Sequence, residues 1–112
     1  MSKQIKQLDE FNAIINAHSL VLVDFWAPWC GPCKALAPKF EQLQLQYGSK
    51  IEFIKVNIDE VGADAICSEC QIKSLPTIML FRDGKPYNHV VGANVAAIEN
   101  MIKDSTLQLS AT

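Results

Sequence analysis

The sequence predicts an α/β protein built on a mixed sheet, and three observations carry that expectation. Leu20–Trp26 and Ile51–Ile58 are nearly unbroken apolar runs, as strands covered on both faces should be. Segments with apolar residues at helical spacing alternate with them. Near the end, Thr77–Arg82 and Tyr87–Val91 flank Asp83-Gly84-Lys85-Pro86, a turn-rich connection that reads as a hairpin.

Taken in order, Ile5 to Leu8 reads as a short edge strand, and Asp9 as the N-cap of a helix carrying Phe11, Ile14 and Ile15 on one face. The strand Leu20–Trp26 follows. Leu36, Phe40, Leu43 and Tyr47 then recur at helical spacing, with Gly48 as a stop signal and Pro38 predicting a bend. After the strand Ile51–Ile58, a short helix is expected around Ala63–Cys70. The hairpin comes next, and Val95, Ile98, Met101 and Ile102 mark a last amphipathic helix. The polar tail after Lys103 is expected to fray. The order is β-α-β-α-β-α-β-β-α, in which the early crossovers imply parallel pairing and the hairpin adds antiparallel strands.

A chain of 112 residues, about half of them hydrophobic and a fifth charged, suits one domain with its own core, spanning residues 1–112. Net charge is −2 and no two Lys or Arg residues are adjacent, which argues against a nucleic-acid or anionic-membrane surface. The apolar runs are too short to span a bilayer. MSKQIKQLDE contains no apolar signal core, so the expected location is cytoplasmic. In that setting the four cysteines are chemistry or packing rather than staples.

The chemistry concentrates in FWAPWCGPCKALAP, residues 25–38. Cys30/Cys33 and Cys67/Cys70 form two Cys-X-X-Cys pairs, and four thiolates suit zinc. Whole secondary-structure elements separate the pairs, however, well beyond the roughly 15–20 residues of a zinc ribbon. The redox reading fits better. Cys30 falls at the N-terminus of the long helix, where unpaired amides and the helix dipole favour an anion, so it should be exposed and ionise readily. Cys33 sits one turn further in and more sheltered. Gly31 permits a tight backbone, and Pro32 suits a first helical turn because its missing N–H goes unused there. One sulfur is then a nucleophile and the other its resolver. If the Cys30 pKa drops from about 8.5 to about 7, the thiolate gain is roughly tenfold, and lower nucleophilicity returns about fivefold of it. Acidity alone therefore supplies about a twofold advantage, and docking geometry must supply the rest.

Trp29-Cys30-Gly31-Pro32-Cys33-Lys34 resembles the active-site motif of the thioredoxin family. VDFWAPWCGPCK, Pro38, KVNID, LPT, FRDGK and VGA follow in the family's order and at its spacing, over essentially the whole chain. The resemblance implies the thioredoxin fold, a five-stranded mixed sheet flanked by four helices. It also implies a monomer that reduces protein disulfides, with no bound cofactor. Electrons would come from NADPH through a thioredoxin reductase, and the clients would be disulfide-containing proteins such as peroxiredoxins. A non-catalytic binding or chaperone module on the same fold is the alternative.

Asp24 is an acid inside an apolar strand, where desolvation should raise its pKa, unless the strand end lets it reach solvent. The resemblance matches it to the carboxylate that helps deprotonate the resolving cysteine, with Lys55 as its partner; a solvent-facing strand lysine is the plainer reading of Lys55. Pro76 reads generically as strand-start punctuation and Gly92 as a helix cap. By resemblance Pro76 is a cis-proline facing the cysteines, presenting backbone groups to an extended substrate and keeping metals away, and Gly92 touches substrate. Trp26 is expected to pack beneath the site, and Trp29 to stand exposed in an apolar patch that meets partners with Gly31 and Pro32. His18 and His89 are assigned no role. Cys67 and Cys70 share a helical stripe with Ala63 and Ile66, which suits packing. Oxidation of Cys70, within the chain to Cys67 or between chains, is the regulatory alternative.

Overall fold

The computed structural model describes residues 2–111, with side chains through residue 107. The elements run β1 (Lys3–Gln4), α1 (Leu8–Ala17), β2 (Leu20–Trp26), α2 (Gly31–Tyr47), β3 (Glu52–Asn57), α3 (Ala63–Glu69), β4 (Thr77–Arg82), β5 (Lys85–Val91) and α4 (Val95–Ala111). The strands form one sheet in the order β1-β3-β2-β4-β5. β1 and β2 both pair with β3 in parallel, whereas β4 runs antiparallel to β2 and β5 antiparallel to β4. This is the mixed sheet the sequence predicts.

β2 lies at the centre because its alternating side chains serve both faces. Leu20 and Leu22 join Phe40 of α2, Phe53 of β3 and Ile98 and Ile102 of α4 in one core layer. Val21, Val23 and Phe25 join Phe11 of α1 and Ile66 of α3 in the other. Asp24 therefore projects into the face covered by α2, since it alternates with Leu22 along the strand.

β3 is one residue shorter at each end than the expected Ile51–Ile58, and four larger differences from the sequence expectation stand out. The edge strand is Lys3–Gln4 rather than Ile5–Leu8, and Leu8 already starts α1. Gln7, not Asp9, is the N-cap; its carbonyl accepts from the Phe11 N–H at 3.0 Å, and Asp9 sits in the first turn, where the helix dipole favours an acid. β5 begins at Lys85, so the hairpin turn is only Asp83-Gly84, with φ of 53° and 82°. Positive φ at both central residues matches the right-handed strand twist, and Pro86 is tolerated because β5 is an edge strand with a register shift opposite Leu80/Phe81. Finally, the segment after Lys103, expected to fray, is helical as far as Ala111. α4 continues, with Ser105 and Thr106 buried and their hydroxyls donating to the carbonyls of Ile102 and Lys103 at 2.8 and 3.0 Å. Polar residues look like a solvated tail in sequence, but back-bonding within the helix satisfies them.

α2 is unbroken across Pro38, which forgoes one bond to the Lys34 carbonyl. Gly48 ends the helix as anticipated, though with an ordinary helical φ of −64°. Glycine is needed there because a Cβ would press on the Gln44 carbonyl.

Candidate active site

The site forms where β2 hands over to α2. The Cys30 N–H donates to the Ala27 carbonyl at 3.1 Å, a turn that places Cys30 as the N-cap of α2 in an extended conformation. Its sulfur accepts the Cys33 N–H at 3.2 Å, the bond a Ser or Asp side chain makes at other N-caps. Gly31 and Pro32 form the first turn, and the Lys34 N–H returns to the Cys30 carbonyl at 3.2 Å. Cys30 and Cys33 are joined by a disulfide, their Cα atoms 5.2 Å apart. One helical turn brings the two sulfurs together, as the spacing requires.

Cys30 is not exposed, contrary to the sequence expectation. It is 5% exposed against 3% for Cys33, so both are buried, packed with Ala27 and flanked by Trp26, Ile58 and Leu75. The asymmetry lies in access rather than area. A depression lined by Trp29, Cys30, Gly31, Pro32, Ile58, Ile72, Lys73, Ser74 and Leu75 reaches Cys30 and not Cys33. Trp29 is 66% exposed, and its indole N–H donates to Asp59 Oδ2 at 2.9 Å, which fixes the ring over the edge of the depression.

The opposite wall comes from the loop into β4. The Leu75–Pro76 peptide is cis, the Thr77 hydroxyl donates to the Ser74 carbonyl at 2.6 Å, and the Gly92 N–H donates to the Pro76 carbonyl at 2.8 Å. Gly92 has φ of +98° with open space where a Cβ would be, so backbone conformation and not crowding calls for glycine. Pro76 is buried, and neither it nor Gly92 lines the depression.

Asp24 does not reach solvent. It is 1% exposed, and neither carboxylate oxygen has a hydrogen-bond partner among the described residues. The nearest cation, the Lys55 ammonium, stands 3.9 Å from Oδ2. Burial pushes the Asp24 carboxyl up from 3.8 to about 6, opposed by Lys55 and assisted by Glu41. The Lys55 side chain is 11% exposed, so the plain reading as a solvent-facing strand lysine fails; its ammonium stands over the rings of Trp26 and Phe40.

Cys67 and Cys70 are not brought to this site. Both are unpaired and half-buried against the α1/α3 core layer, and the four sulfurs do not converge among the described residues. Burial raises both thiols, with Asp64 adding to it for Cys67, and with Cys67 and Glu69 pushing Cys70 up to about 12. Residues the sequence reading passed over are Asp59, which anchors Trp29, and Ile58, Ile72 and Lys73, which line the depression. Asp59 is the acid of KVNID and was visible; the others carry no signal of spacing or type.

A family model described as thioredoxin matches residues 2–104. Thioredoxin-1 of Schizosaccharomyces pombe is 44% identical over 103 residues, covering 92% of this chain and 97% of that one. Mitochondrial thioredoxin 3 of Saccharomyces cerevisiae, solved in its oxidized form, superposes with a TM-score of 0.86 at 34% identity, covering 92% of this chain and 94% of that one. A yeast structure titled for the thiol resolving mechanism of mitochondrial 1-Cys peroxiredoxin via glutathione/thioredoxin systems matches equally, with the same score, identity and coverage. With its Cys30–Cys33 disulfide at the head of α2, the chain belongs to the thioredoxin family and is a thiol–disulfide oxidoreductase that reduces protein disulfides.

Proposed function

We propose that Cys30 is the attacking sulfur, Cys33 the resolving one and Asp24 the proton acceptor between them, the chain working as one domain. The observation that carries this reading is the unequal access to the pair: the depression opens on Cys30 alone, while the Cys33 N–H and the head of α2 face the Cys30 sulfur and favour negative charge there. In the dithiol form the Cys30 thiolate attacks a client disulfide, forming a mixed disulfide and expelling one client thiolate. Asp24 takes the Cys33 proton. The Cys33 thiolate then attacks Cys30, releases the second client thiolate and leaves the protein disulfide present in this structure. An acid with a pKa of about 6 is ionised near neutral pH yet basic enough to accept a proton. Lys55 is its charge partner.

Trp29, Gly31 and Pro32 form one wall for an extended client segment, Lys73, Ser74 and Leu75 form the other, and Pro76 and Gly92, hydrogen-bonded to each other, hold that loop. Two electrons must return the disulfide to the dithiol. We assign that step to an NADPH-dependent thioredoxin reductase and count peroxiredoxins among the clients. The peroxiredoxin named with one of the matching structures supports the latter. Two unpaired thiols at Cys67 and Cys70 suit a reducing compartment, and we place the protein in the cytoplasm as a monomer.

The test is trapping. Cys33→Ser should accumulate a mixed disulfide with an insulin-type substrate on a non-reducing gel, and Cys30→Ser should neither trap nor reduce it. Trapping on Cys30→Ser alone would reverse the assignment.

A further inference from the structure

Three neighbouring strands line up a short row of polar groups beneath the site. Gln4 on β1, Lys55 on β3 and Asp24 on β2 are register partners, so their side chains share one face of the sheet. Trp26, two residues beyond Asp24 on β2, stands on that face too. Its indole N–H donates to Gln4 Oε1 at 3.3 Å.

The Lys55 ammonium is 3.9 Å from Asp24, too far for a good hydrogen bond, yet its side chain is only 11% exposed. Charge alone does not hold it there. Its position is explained by two rings, with Trp26 at 5.1 Å and Phe40 at 6.0 Å from the ammonium. Tryptophan is the ring with the strongest attraction for a cation, and that attraction grows when the cation is withdrawn from water. A lysine stem without such a hold extends until its head is solvated.

We infer that Trp26, oriented by Gln4, is a positioning residue that holds the Lys55 ammonium beside Asp24 and so sets the acidity of that carboxyl. The inference rests on Asp24 being the proton acceptor only for its bearing on turnover; the hold itself is measurable without it. The charged groups facing Asp24 are Lys55 from β3 and Glu41 from α2. Its β4 partner is Ile78, and the cysteines at the head of α2 do not titrate in the disulfide form. Losing the ring frees Lys55 to turn toward water, which removes the one influence that lowers the Asp24 pKa.

The measurement is a carbon-13 NMR titration of the Asp24 carboxyl in the oxidised protein. Starting from about 6 in the unaltered chain, the pKa is expected to rise in the order Trp26→Phe, Trp26→Leu, Lys55→Met. Trp26→Leu combined with Lys55→Met should lie no higher than Lys55→Met alone, because the ring acts only through the ammonium. A merely structural role for Trp26 would lower unfolding midpoints and leave the titration in place. An Asp24 pKa in Trp26→Leu equal to the unaltered value, or below it because Lys55 has collapsed onto the carboxylate, overturns the inference. If Trp26→Leu does not fold, Trp26→Phe decides by the same criterion. The pH profile of Cys33 attack, read from decay of a preformed mixed disulfide, separates the two claims. A shifted titration with an unshifted profile sinks Asp24 as proton acceptor and leaves the hold standing.

Discussion

Asp24 pays for its position in stability. A carboxyl raised from 3.8 to about 6 by burial costs the folded state about 3 kcal/mol at neutral pH. Asp24→Asn is therefore expected to slow turnover severalfold at pH 7 while raising the urea midpoint. The gain stays below that ceiling, because the amide is also buried and Lys55 loses its counter-charge. An unchanged rate with a lowered midpoint would mean that Asp24 is neither the proton acceptor nor a burden on the fold. Cys70 carries the opposite expectation. With its thiol pushed up to about 12, the thiolate is scarce at neutral pH, and the thiolate is the form that oxidises. In a Cys30→Ser/Cys33→Ser protein, Cys67 and Cys70 should stay reduced under peroxide that oxidises an exposed thiol control. A Cys67–Cys70 disulfide seen by mass spectrometry would restore the regulatory reading over packing.

Among the elements, the β4–β5 hairpin and the end of α4 hold the sharpest tests. Gly84 has φ of +82°, and a Cβ there would strike the Asn16 side chain on α1. Gly84→Ala should thus destabilise the chain by about 1 kcal/mol or more through strain and crowding together. No loss would show that the turn adapts without the left-handed residue. Ending the chain at Lys103 removes buried Ser105 and Thr106 and the last turns of α4. Unfolding midpoints and helical circular dichroism should both fall; equal midpoints would return that segment to the fraying tail its composition suggests. Asp83-Gly84 announces its turn in two letters, whereas Asp104-Ser105-Thr106 reads as tail because hydroxyls bonded back along a helix resemble hydroxyls bonded to water.

At the scale of the whole molecule, Asp24 leaves a signature in the pH dependence of folding. Between pH 3.8 and about 6 the folded protein keeps a proton on Asp24 that the unfolded chain has released. The folded state binds more protons there, so this group's contribution to stability falls as pH rises through the window and is lost by neutral pH. The stability difference between Asp24→Asn and the unaltered protein should accordingly grow from pH 4 to pH 7. A difference that is flat with pH would show that the carboxyl titrates normally despite its burial.

Strand and helix identities, the parallel-then-antiparallel order and the redox pair were legible because each rests on local pattern. A central strand buried on both faces must read LVLVDFW, and a helix headed by a reactive cysteine needs its partner one turn along. The family resemblance extended that reading to Asp24, Lys55 and Pro76, residues whose types alone left plainer alternatives open. Tertiary structure decided what depends on neighbours far apart in sequence. Only the packing of β2 beneath α2 shows that Asp24 has no hydrogen-bond partner among the described residues, and only the β1-β3-β2 register sets Gln4, Lys55 and Asp24 side by side. It also decided that Cys30 lies on the floor of a depression rather than in the open, since Ile58, Ile72 and Leu75 come from other loops. Spacing along a chain fixes which side chains share an element's face, but burial, and with it acidity and access, is a property of whatever the fold brings to cover that face.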